Sequence, residues 1–325
     1  MTAGPAAAIT PGDPSAWAGL LPVDKPEGVT SHDVVDRARR VLRLRTAGHL
    51  GTLDPGASGL LVLAIGVATR CALVWQGGGK TYEGVARFGI VTDTQDTHGR
   101  VLETREVRAS EAEIRAAALG LTGDLRQVPP MVSALKHRGR RLHELARAGE
   151  TVERAARPVR VEEWEWRSFE PPDASFRVRC SGGTYVRTLV HDLGARLGCG
   201  GALKSLRRLR SEPWGLERAL GLRDLDVLAR DEAPARAGVP LAEALRVLPV
   251  VALDEAGAAE LGFGRRPAVA PGAAPLGAGG RSVVFFGPGD VPLALGELES
   301  DATRPGLALA CPHVVFPWAV RQGRP

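Results

Sequence analysis

A Gly-rich polar loop that runs directly into the most apolar segment of the chain is the feature that most constrains the fold. The loop, GHLGTLDPG, spans residues 48–56, and the apolar segment LLVLAIGV follows at residues 60–67. A short apolar run bounded by turn residues is consistent with a buried strand. Polar loops fixed beside buried elements are common places for active-site residues. The sequence therefore predicts a candidate site in this segment, called the Asp-Pro loop below.

Three further segments predict strands and helices around the Asp-Pro loop. Residues 20–42 read as strand, turn and helix, with Thr30 and Asp33 forming a capping box. Residues 80–101 alternate like a strand, and Ser110 with Glu113 caps the helix that follows. Residues 175–198 read as a strand, a Gly-Gly turn and a helix that Thr184 would cap. This mixture of elements predicts an α+β fold, with strands and helices interspersed.

Length and composition predict two folded units. A chain of 325 residues can bury a large core and a smaller one. We expect a flexible Ala/Pro/Gly leader over residues 1–19 and the main domain over residues 20–248. The remainder, residues 249–325, is rich in Gly, Pro and short apolar strands, which predicts a small β domain.

Cysteine usage and hydropathy exclude several classes of protein. The four cysteines show no C-x-x-C pair and no histidines at ligand spacing, which predicts neither a metal site nor a disulfide framework. No apolar run approaches the roughly 18 residues of a membrane span. The leader lacks the basic and apolar regions of a signal peptide. We therefore expect a cytoplasmic protein.

Basic residues cluster in one segment. Between residues 126 and 160 there are nine Lys or Arg residues and three Glu, whereas the whole chain carries a net charge of only +5. The segment also holds a Pro-Pro break and a short amphipathic piece around Leu142 and Leu145. This pattern predicts an exposed basic flap that suits a polyanionic partner such as RNA.

Five blocks of the sequence, in order, resemble the TruB-type tRNA pseudouridine-55 synthases of bacteria. The resemblance covers about residues 20–248. It rests on Asp24-Lys25-Pro26, on GHLGTLDPGASGLL with Asp54, on KTYEGVARFG with Tyr82, on QVPPMVSALKHRGRRLHELARAGE, and on SGGTYVRTLVHDLG with Arg187. Any one block could be accidental, but the ordered set makes accident very improbable.

The resemblance implies a pseudouridine synthase fold built on a central mixed or antiparallel sheet. It also implies an inserted basic thumb, at about residues 124–157, and a small C-terminal PUA-like β domain. The implied activity is the isomerisation of uridine-55 in the TΨC loop of tRNA after base flipping. Because that reaction gains no atoms or electrons, no cofactor is expected. The implied partner is tRNA, held at its T-stem loop and at its acceptor end, by a monomer that needs no membrane and no protein partner.

The family's functional residues fall on three positions of this chain. Asp54 would be the catalytic carboxylate, either as nucleophile at C1′ or as base at C2′, and the sequence leaves both roles open. Arg187 would pair with Asp54 and offset the cost of burying its charge. Tyr82 would stack on the extruded uracil and help to remove the C5 proton.

Further residues would surround this centre. By resemblance, His49 inserts into the RNA stack. We expect contacts to RNA from His49, Lys25, Lys136, His137, Arg138, Arg140 and Arg141. We expect the pocket to be shaped by Pro26, Gly51, Thr52, Leu53, Thr184 and Tyr185.

Two departures from the family pattern and two alternative functions stay open. Leu50 stands where the family often has Thr, and Val132 where it usually has Tyr.

The chain could be the catalytic subunit of a guide-RNA pseudouridylation complex, although the long basic flap is typical of stand-alone bacterial enzymes. It could also be a non-catalytic tRNA-binding or folding protein, against which the joint presence of Asp54, Tyr82 and Arg187 argues.

Overall fold

The computed structural model describes residues 17–133, 135–228, 232–270, 282–304 and 306–322. Most of the expected leader, residues 1–16, lies outside these ranges. Its last residues do not behave as a leader, because Trp17 packs against the core and Gly19 already belongs to the first strand. The expected boundary at residue 19 is therefore too late.

The first part of the chain alternates strands with short helices. Its elements are β1 (Gly19–Lys25), α1 (Ser31–Leu42), β2 (Ala47–His49), β3 (Ala57–Ile65), α2 (Leu73–Gln76), β4 (Lys80–Phe88), β5 (Ile90–Thr92), β6 (Val101–Thr104), α3 (Glu111–Leu119), β7 (Gly123–Gln127), β8 (Lys136–His137), β9 (Arg140–Arg141), α4 (Leu142–Arg147), β10 (Arg157–Glu170), β11 (Asp173–Cys180), α5 (Val186–Arg196), β12 (Gly201–Ser211), β13 (Trp214–Gly215), β14 (Leu220–Gly221), α6 (Leu222–Val227), α7 (Glu232–Ala237), β15 (Val239–Pro240) and α8 (Leu241–Leu245).

A large mixed sheet forms the centre of this part. Its order is β14-β1-β3-β12-β4-β11-β10-β7, with β2, β13 and β15 paired to its members. The pairs β1/β14 and β3/β12 are parallel, and the others along this path are antiparallel. The predicted mixed α+β class with a central mixed sheet is confirmed. Because the start of β3 pairs with β12 and Asp96 bridges to Leu203 of the same strand, the Asp-Pro loop and the loop after β5 lie along one strand of the sheet.

Two of the three predicted helix starts are as expected, and one is not. The capping boxes Thr30/Asp33 and Ser110/Glu113 both form. Thr184 does not cap α5: the N-cap residue is Tyr185, which makes no side-chain cap hydrogen bond. Thr184 instead shares a 3.2 Å hydroxyl contact with Ser181 in the preceding turn.

The thumb is inserted between β7 and β10 and is only partly a surface flap. It contains the two-stranded β8/β9 ribbon and α4. Leu142 and Leu145 are buried, as the amphipathic pattern predicts, whereas Arg138, Arg140 and Arg141 are exposed. The insertion thus has an apolar anchor and a basic outer face.

The C-terminal part forms a separate five-stranded sheet, ordered β16-β18-β19-β20-β17. Its elements are β16 (Val250–Ala252), α9 (Glu255–Gly262), β17 (Ala268–Val269), β18 (Val283–Gly287), β19 (Val291–Ser300), β20 (Ala308–Val315) and α10 (Pro317–Gln322). The expected C-terminal β domain is present. One buried cluster joins both sheets, because Val284, Phe286 and Phe316 pack with Leu20, Leu60 and Trp75.

No helix within the described ranges is long and apolar enough to cross a membrane.

Candidate active site

An open cavity of about 580 Å³ lies where the Asp-Pro loop faces the start of α5. Six chain segments meet at it, which is typical of ligand sites. Its lining comes from residues 27–28, from 54–57, from Thr94, Asp96 and His98, from Val132 of the thumb, from Arg187, and from 203–206 of β12. Asp54 and Arg187, distant in sequence, therefore share one cleft.

Buried hydrogen bonds hold the Asp-Pro loop in place. The Ser31 hydroxyl donates to the Leu53 carbonyl and accepts from the Leu53 amide, both at 2.9 Å. The Gly28 amide donates to the Pro55 carbonyl at 2.9 Å, and the Ala57 amide donates to the Asp54 carbonyl at 3.0 Å. Asp54 is thus presented from a backbone that is bonded on both sides of it.

Lys25 supports the loop from below, which corrects the expectation that it contacts RNA. Its side chain is fully buried, and its ammonium donates to the carbonyls of Pro26 at 2.9 Å, Val29 at 2.8 Å and Pro55 at 3.4 Å. Burial lowers the pKa of Lys25 to about 8, and the Asp54 carboxylate opposes that shift. A group enclosed in this way has no surface left for RNA.

Arg187 meets Asp54 from the first turn of α5. The side chain is 4% exposed, and its Nη2 lies 3.3 Å from Asp54 Oδ2. The same guanidinium donates to the Val132 carbonyl at 2.5 Å and to the Thr94 carbonyl at 3.4 Å. Its Nη1 also lies 3.7 Å from Asp96 Oδ2. The arginine is therefore fixed by two segments besides the Asp-Pro loop, the thumb and the loop after β5.

The environment of Asp54 both raises and lowers its pKa. Burial raises the pKa of this carboxyl, the Arg187 guanidinium opposes that rise, and Asp96 reinforces it. The side chain is nevertheless 47% exposed toward the cavity. The net direction is upward, and Arg187 is the main group that favours the ionised form.

Asp96 is a functional candidate that the sequence patterns did not single out. The Asp96 side chain accepts from the Thr94 hydroxyl at 2.8 Å and from the His98 amide at 3.0 Å. Backbone bonds on either side of it tie the loop to Leu203 of β12. The next residue of β12, Lys204, is the extra residue of a bulge, a device that re-aims side chains beside active sites. The alternating residue pattern after β4 does not predict that the loop around Asp96 docks on β12.

Tyr82 lies in the hydrophobic core and is not among the residues that line the cavity. It is 7% exposed and packs in the main hydrophobic cluster. In the sheet it is the partner of Arg208 on β12, and its phenol interacts with the Arg208 guanidinium and with the charge of Asp54. Burial raises the pKa of Tyr82, and the Arg208 charge opposes that rise.

His49 occupies a strand and not the loop expected from sequence. It ends β2 opposite Leu63, it is half-buried, and its Nδ1 is buried without a hydrogen-bond partner among the described residues. Burial lowers the pKa of His49, which favours the neutral imidazole. Leu50, where the family often has Thr, is buried in the cluster that joins the two sheets.

The other residues expected to shape the pocket sit behind or beside the cavity wall. The carbonyls of Gly51 and Thr52 accept from Arg208, and Leu53 is bonded to Ser31. Tyr185 exchanges hydrogen bonds with Gln127 through its own backbone. None of the group Pro26, Gly51, Thr52, Leu53, Thr184 and Tyr185 lines the cavity within the described part of the chain.

The thumb residues are spread over the outer face. Arg138 and Arg141 are exposed, and Arg140 pairs with Glu150 at 3.2 Å. His137 is half-buried, and Lys136 takes part in β8. Val132, one of the two departures from the family pattern, lines the cavity and supplies its carbonyl to Arg187. In the described ranges no group of three or more His, Cys, Asp or Glu is arranged to hold a metal ion.

Two solved structures of complexes that contain Cbf5 share this architecture. The chain matches one titled "Crystal Structure of a Cbf5-Nop10-Gar1 Complex" with a TM-score of 0.68 and 28% identity, over 92% of this chain and 85% of that one. It also matches "Crystal structure of the archaeal box H/ACA sRNP Nop10-Cbf5 complex" with a TM-score of 0.68 and 25% identity, over 93% and 88%.

Sequence comparisons are more specific. Residues 39–186 match the model of the TruB family pseudouridylate synthase N-terminal domain, and residues 187–249 match that of the tRNA pseudouridylate synthase B C-terminal domain. The chain is 47% identical to tRNA pseudouridine synthase B of Burkholderia pseudomallei (strain 668), over 76% of this chain and 82% of the relative. It is 45% identical to that of Aromatoleum aromaticum (strain DSM 19018 / LMG 30748 / EbN1), over 88% and 90%. The chain belongs to the TruB family of pseudouridylate synthases.

Proposed function

We propose that this protein is a tRNA pseudouridine synthase that isomerises uridine-55 of the TΨC loop, with Asp54 as its catalytic carboxylate. The observation that carries the proposal is the Asp54–Arg187 ion pair, at 3.3 Å on the wall of an open cavity. The relatives that are 45–47% identical to it over the aligned residues carry the name tRNA pseudouridine synthase B.

The reaction needs an anion at the sugar. The bond between N1 and C1′ breaks, the uracil turns, C5 bonds to C1′, the C5 proton leaves, and N1 gains a proton. Asp54 serves either as nucleophile at C1′ or as base at the 2′ hydrogen, and both roles require the ionised form. Arg187 favours that form, because a guanidinium beside a carboxylate offsets the cost of its burial.

Base flipping requires compensation from the protein. Extruding a base costs a few kcal/mol, and stacking on an aromatic side chain returns about 1–3 kcal/mol. In this proposal the uracil passes Asp54 to reach Tyr82, and the phenol oxygen assists C5 deprotonation. His49 fills the space left in the RNA stack.

Contacts to RNA phosphates supply the remaining binding energy. The exposed thumb residues Arg138, Arg140 and Arg141 face outward, where they can meet the T-stem loop. In the same proposal the C-terminal sheet meets the acceptor end, and the protein works as a cytoplasmic monomer without a protein partner.

The guide-RNA alternative follows from the structural match to complexes that contain Cbf5. Those matches are 25–28% identical to this chain, whereas the bacterial relatives are 45–47% identical. An assay without guide RNA separates the two candidates.

The experiment incubates the purified full-length protein with an unmodified tRNA transcript and maps pseudouridine by nucleotide. We expect one pseudouridine, in the TΨC loop, without added RNA or protein. The matched Asp54→Asn protein should bind the transcript with similar affinity and make no product. Product from Asp54→Asn at the normal rate, or no product from the unaltered protein, would refute the proposal.

A further inference from the structure

A buried arginine on β12, outside the set of residues expected from sequence, links the Asp-Pro loop to Tyr82. Arg208 is 2% exposed. Its Nε donates to the Leu60 carbonyl at 2.6 Å, its Nη2 to the Gly51 carbonyl at 3.0 Å, and its Nη1 reaches the Thr52 carbonyl at 3.5 Å. Two of these carbonyls belong to residues two and three positions before Asp54.

The sheet register brings Arg208 to Tyr82. In the antiparallel pair β4/β12, Arg208 lies directly opposite Tyr82, and opposed residues project to the same face. In the parallel pair β3/β12, Arg208 is the partner of Gly59. Gly59 has a φ of +102°, and a Cβ there would lie 2.2 Å from the Arg208 carbonyl oxygen. Only glycine lets β3 approach this closely, so the position of Arg208 is fixed from both sides.

The charge of Arg208 is not neutralised by a partner carboxylate. No ion pair joins it to an Asp or Glu of the described residues, and its hydrogen bonds go to three carbonyls and to the Tyr82 phenol. The Arg208 charge contributes to the pKa shifts of four groups: Lys25, Lys80, His49 and Tyr82. A buried cation without a counter-ion costs stability, and such departures concentrate at functional sites. Of these four groups, the Tyr82 phenol is the one that this positive charge favours in its anionic form.

We propose that Arg208 is a positioning residue that holds the Tyr82 hydroxyl in register with the Asp54-bearing loop, so that loss of the C5 proton depends on it. This inference rests on the proposed function. In the step concerned, the C5–H bond breaks, its electron pair restores the C5=C6 double bond, and the C6=N1 pair moves onto N1, which takes up a proton. The C5 proton passes by way of the phenol oxygen to solvent. Arg208 touches neither substrate nor proton and acts through Tyr82.

The test is a double-mutant cycle on C5–H loss. Single-turnover release of tritium from a tRNA transcript labelled at C5 of uridine is measured for the unaltered protein, Arg208→Lys, Tyr82→Phe and the double variant. Arg208→Lys should slow release about 10²-fold, with tRNA affinity unchanged and a new isotope effect when C5 carries deuterium. In the Tyr82→Phe background the same change should cost about 3-fold or less, because the two residues act as one unit.

A matched control and a second variant keep the outcome clear. Arg210→Lys, two residues along the same strand, alters a half-exposed side chain that reaches Glu212 and the Pro213 carbonyl, and it should release tritium normally. If Arg208→Lys does not fold, Arg208→Gln is measured in its place. A structure of the unaltered protein bound to an RNA with 5-fluorouridine should also show the guanidinium within hydrogen-bonding distance of the phenol.

Three results contradict the inference: equal losses in both backgrounds, the absence of an isotope effect in Arg208→Lys, or a bound structure with the two side chains apart. Each leaves the proposed function intact if the unaltered protein still forms pseudouridine. Failure of the unaltered protein itself would instead count against the proposed function.

Discussion

The Asp-Pro loop and the thumb border the same cavity but are held in opposite ways. The loop is bonded from beneath by Ser31, Lys25 and Arg208, all of them buried. The thumb buries Leu142 and Leu145, its Val132 carbonyl accepts from Arg187, and Arg138, Arg140 and Arg141 are exposed. The carboxylate therefore sits on a loop bonded to buried side chains, and these cations sit on an exposed surface.

The contrast assigns different tasks to the two regions. A reacting group must be held close to its productive geometry, which buried hydrogen bonds achieve. Phosphate contacts tolerate adjustment, because they depend on charge more than on exact placement. Changes in the loop support should therefore affect rate, and changes on the thumb should affect binding.

The largest expected effect comes from the residue shared by both regions. Arg187→Met should lower the single-turnover rate about 10²-fold or more, because Asp54 loses its cation and the thumb loses its bond. Removing the cation raises the pKa of Asp54 further, so the residual rate should increase with pH at higher values than in the unaltered protein. A pH–rate profile checks this, with Arg196→Met on the exposed end of α5 as control. An unchanged profile would contradict the assignment.

The next effect concerns the thumb alone. Replacing Arg138 and Arg141 by Gln should weaken tRNA binding about 10-fold and lower the salt dependence of binding by about one unit per lost contact, with the single-turnover rate at saturation preserved. Binding titrations over a range of salt measure both quantities. Arg108→Gln, an exposed arginine paired with Glu106, is the control. If this variant lost single-turnover rate but kept its affinity for tRNA, the thumb and the Asp-Pro loop would not have different tasks.

A smaller effect is expected under the Asp-Pro loop. Ser31→Ala leaves the buried Leu53 amide and carbonyl without their partner, which should lower the free energy of unfolding by about 1–3 kcal/mol. The rate should fall several-fold while tRNA affinity stays constant. Denaturant unfolding and single-turnover assays measure these, and Ser168→Ala on the exposed face of β10 is the control. Weaker tRNA binding at normal rate would speak against a positioning role for this bond.

The smallest effect is a pH dependence of stability. Burial lowers the pKa of Lys80 to about 8, below its ordinary 10.5. Between pH 8 and 10 the unfolded chain thus holds more protons, and the stability contributed by this group rises with pH. Relative to Lys80→Met, the free energy of unfolding of the unaltered protein should rise by on the order of 1 kcal/mol across that interval. It should show no relative change between pH 6 and 7. If the free energy of unfolding changed equally with pH in the two proteins, the lowered pKa of Lys80 would be contradicted.

The sequence predicted the local elements well because their causes are local. The capping boxes at Thr30 and Ser110, the buried strand after the Asp-Pro loop and the burial of Leu142 and Leu145 follow from residue types at short spacing. Thr184 shows the limit of this reasoning, because its hydroxyl is taken by Ser181 in the turn before α5.

The arrangement of the candidate site could not be predicted from residue spacing alone. The meeting of Asp54 and Arg187 follows from strand order, and only the family resemblance indicated it before the sheet was known. Asp96 and Arg208 depend on the docking of a loop at a bulge and on the register of β4 with β12, which no pattern in one sequence reveals. Lys25 was expected to contact RNA, and only the enclosing carbonyls show its actual place.

The apolar cluster shared by the two sheets fixes the distance between them. With Phe286 and Phe316 packed against Leu20 and Leu60, the C-terminal sheet is seated on the first sheet instead of trailing on a linker. An RNA arm that touches both would have to bridge a set distance. The number of base pairs between its two ends, and not its sequence alone, would then decide whether it fits.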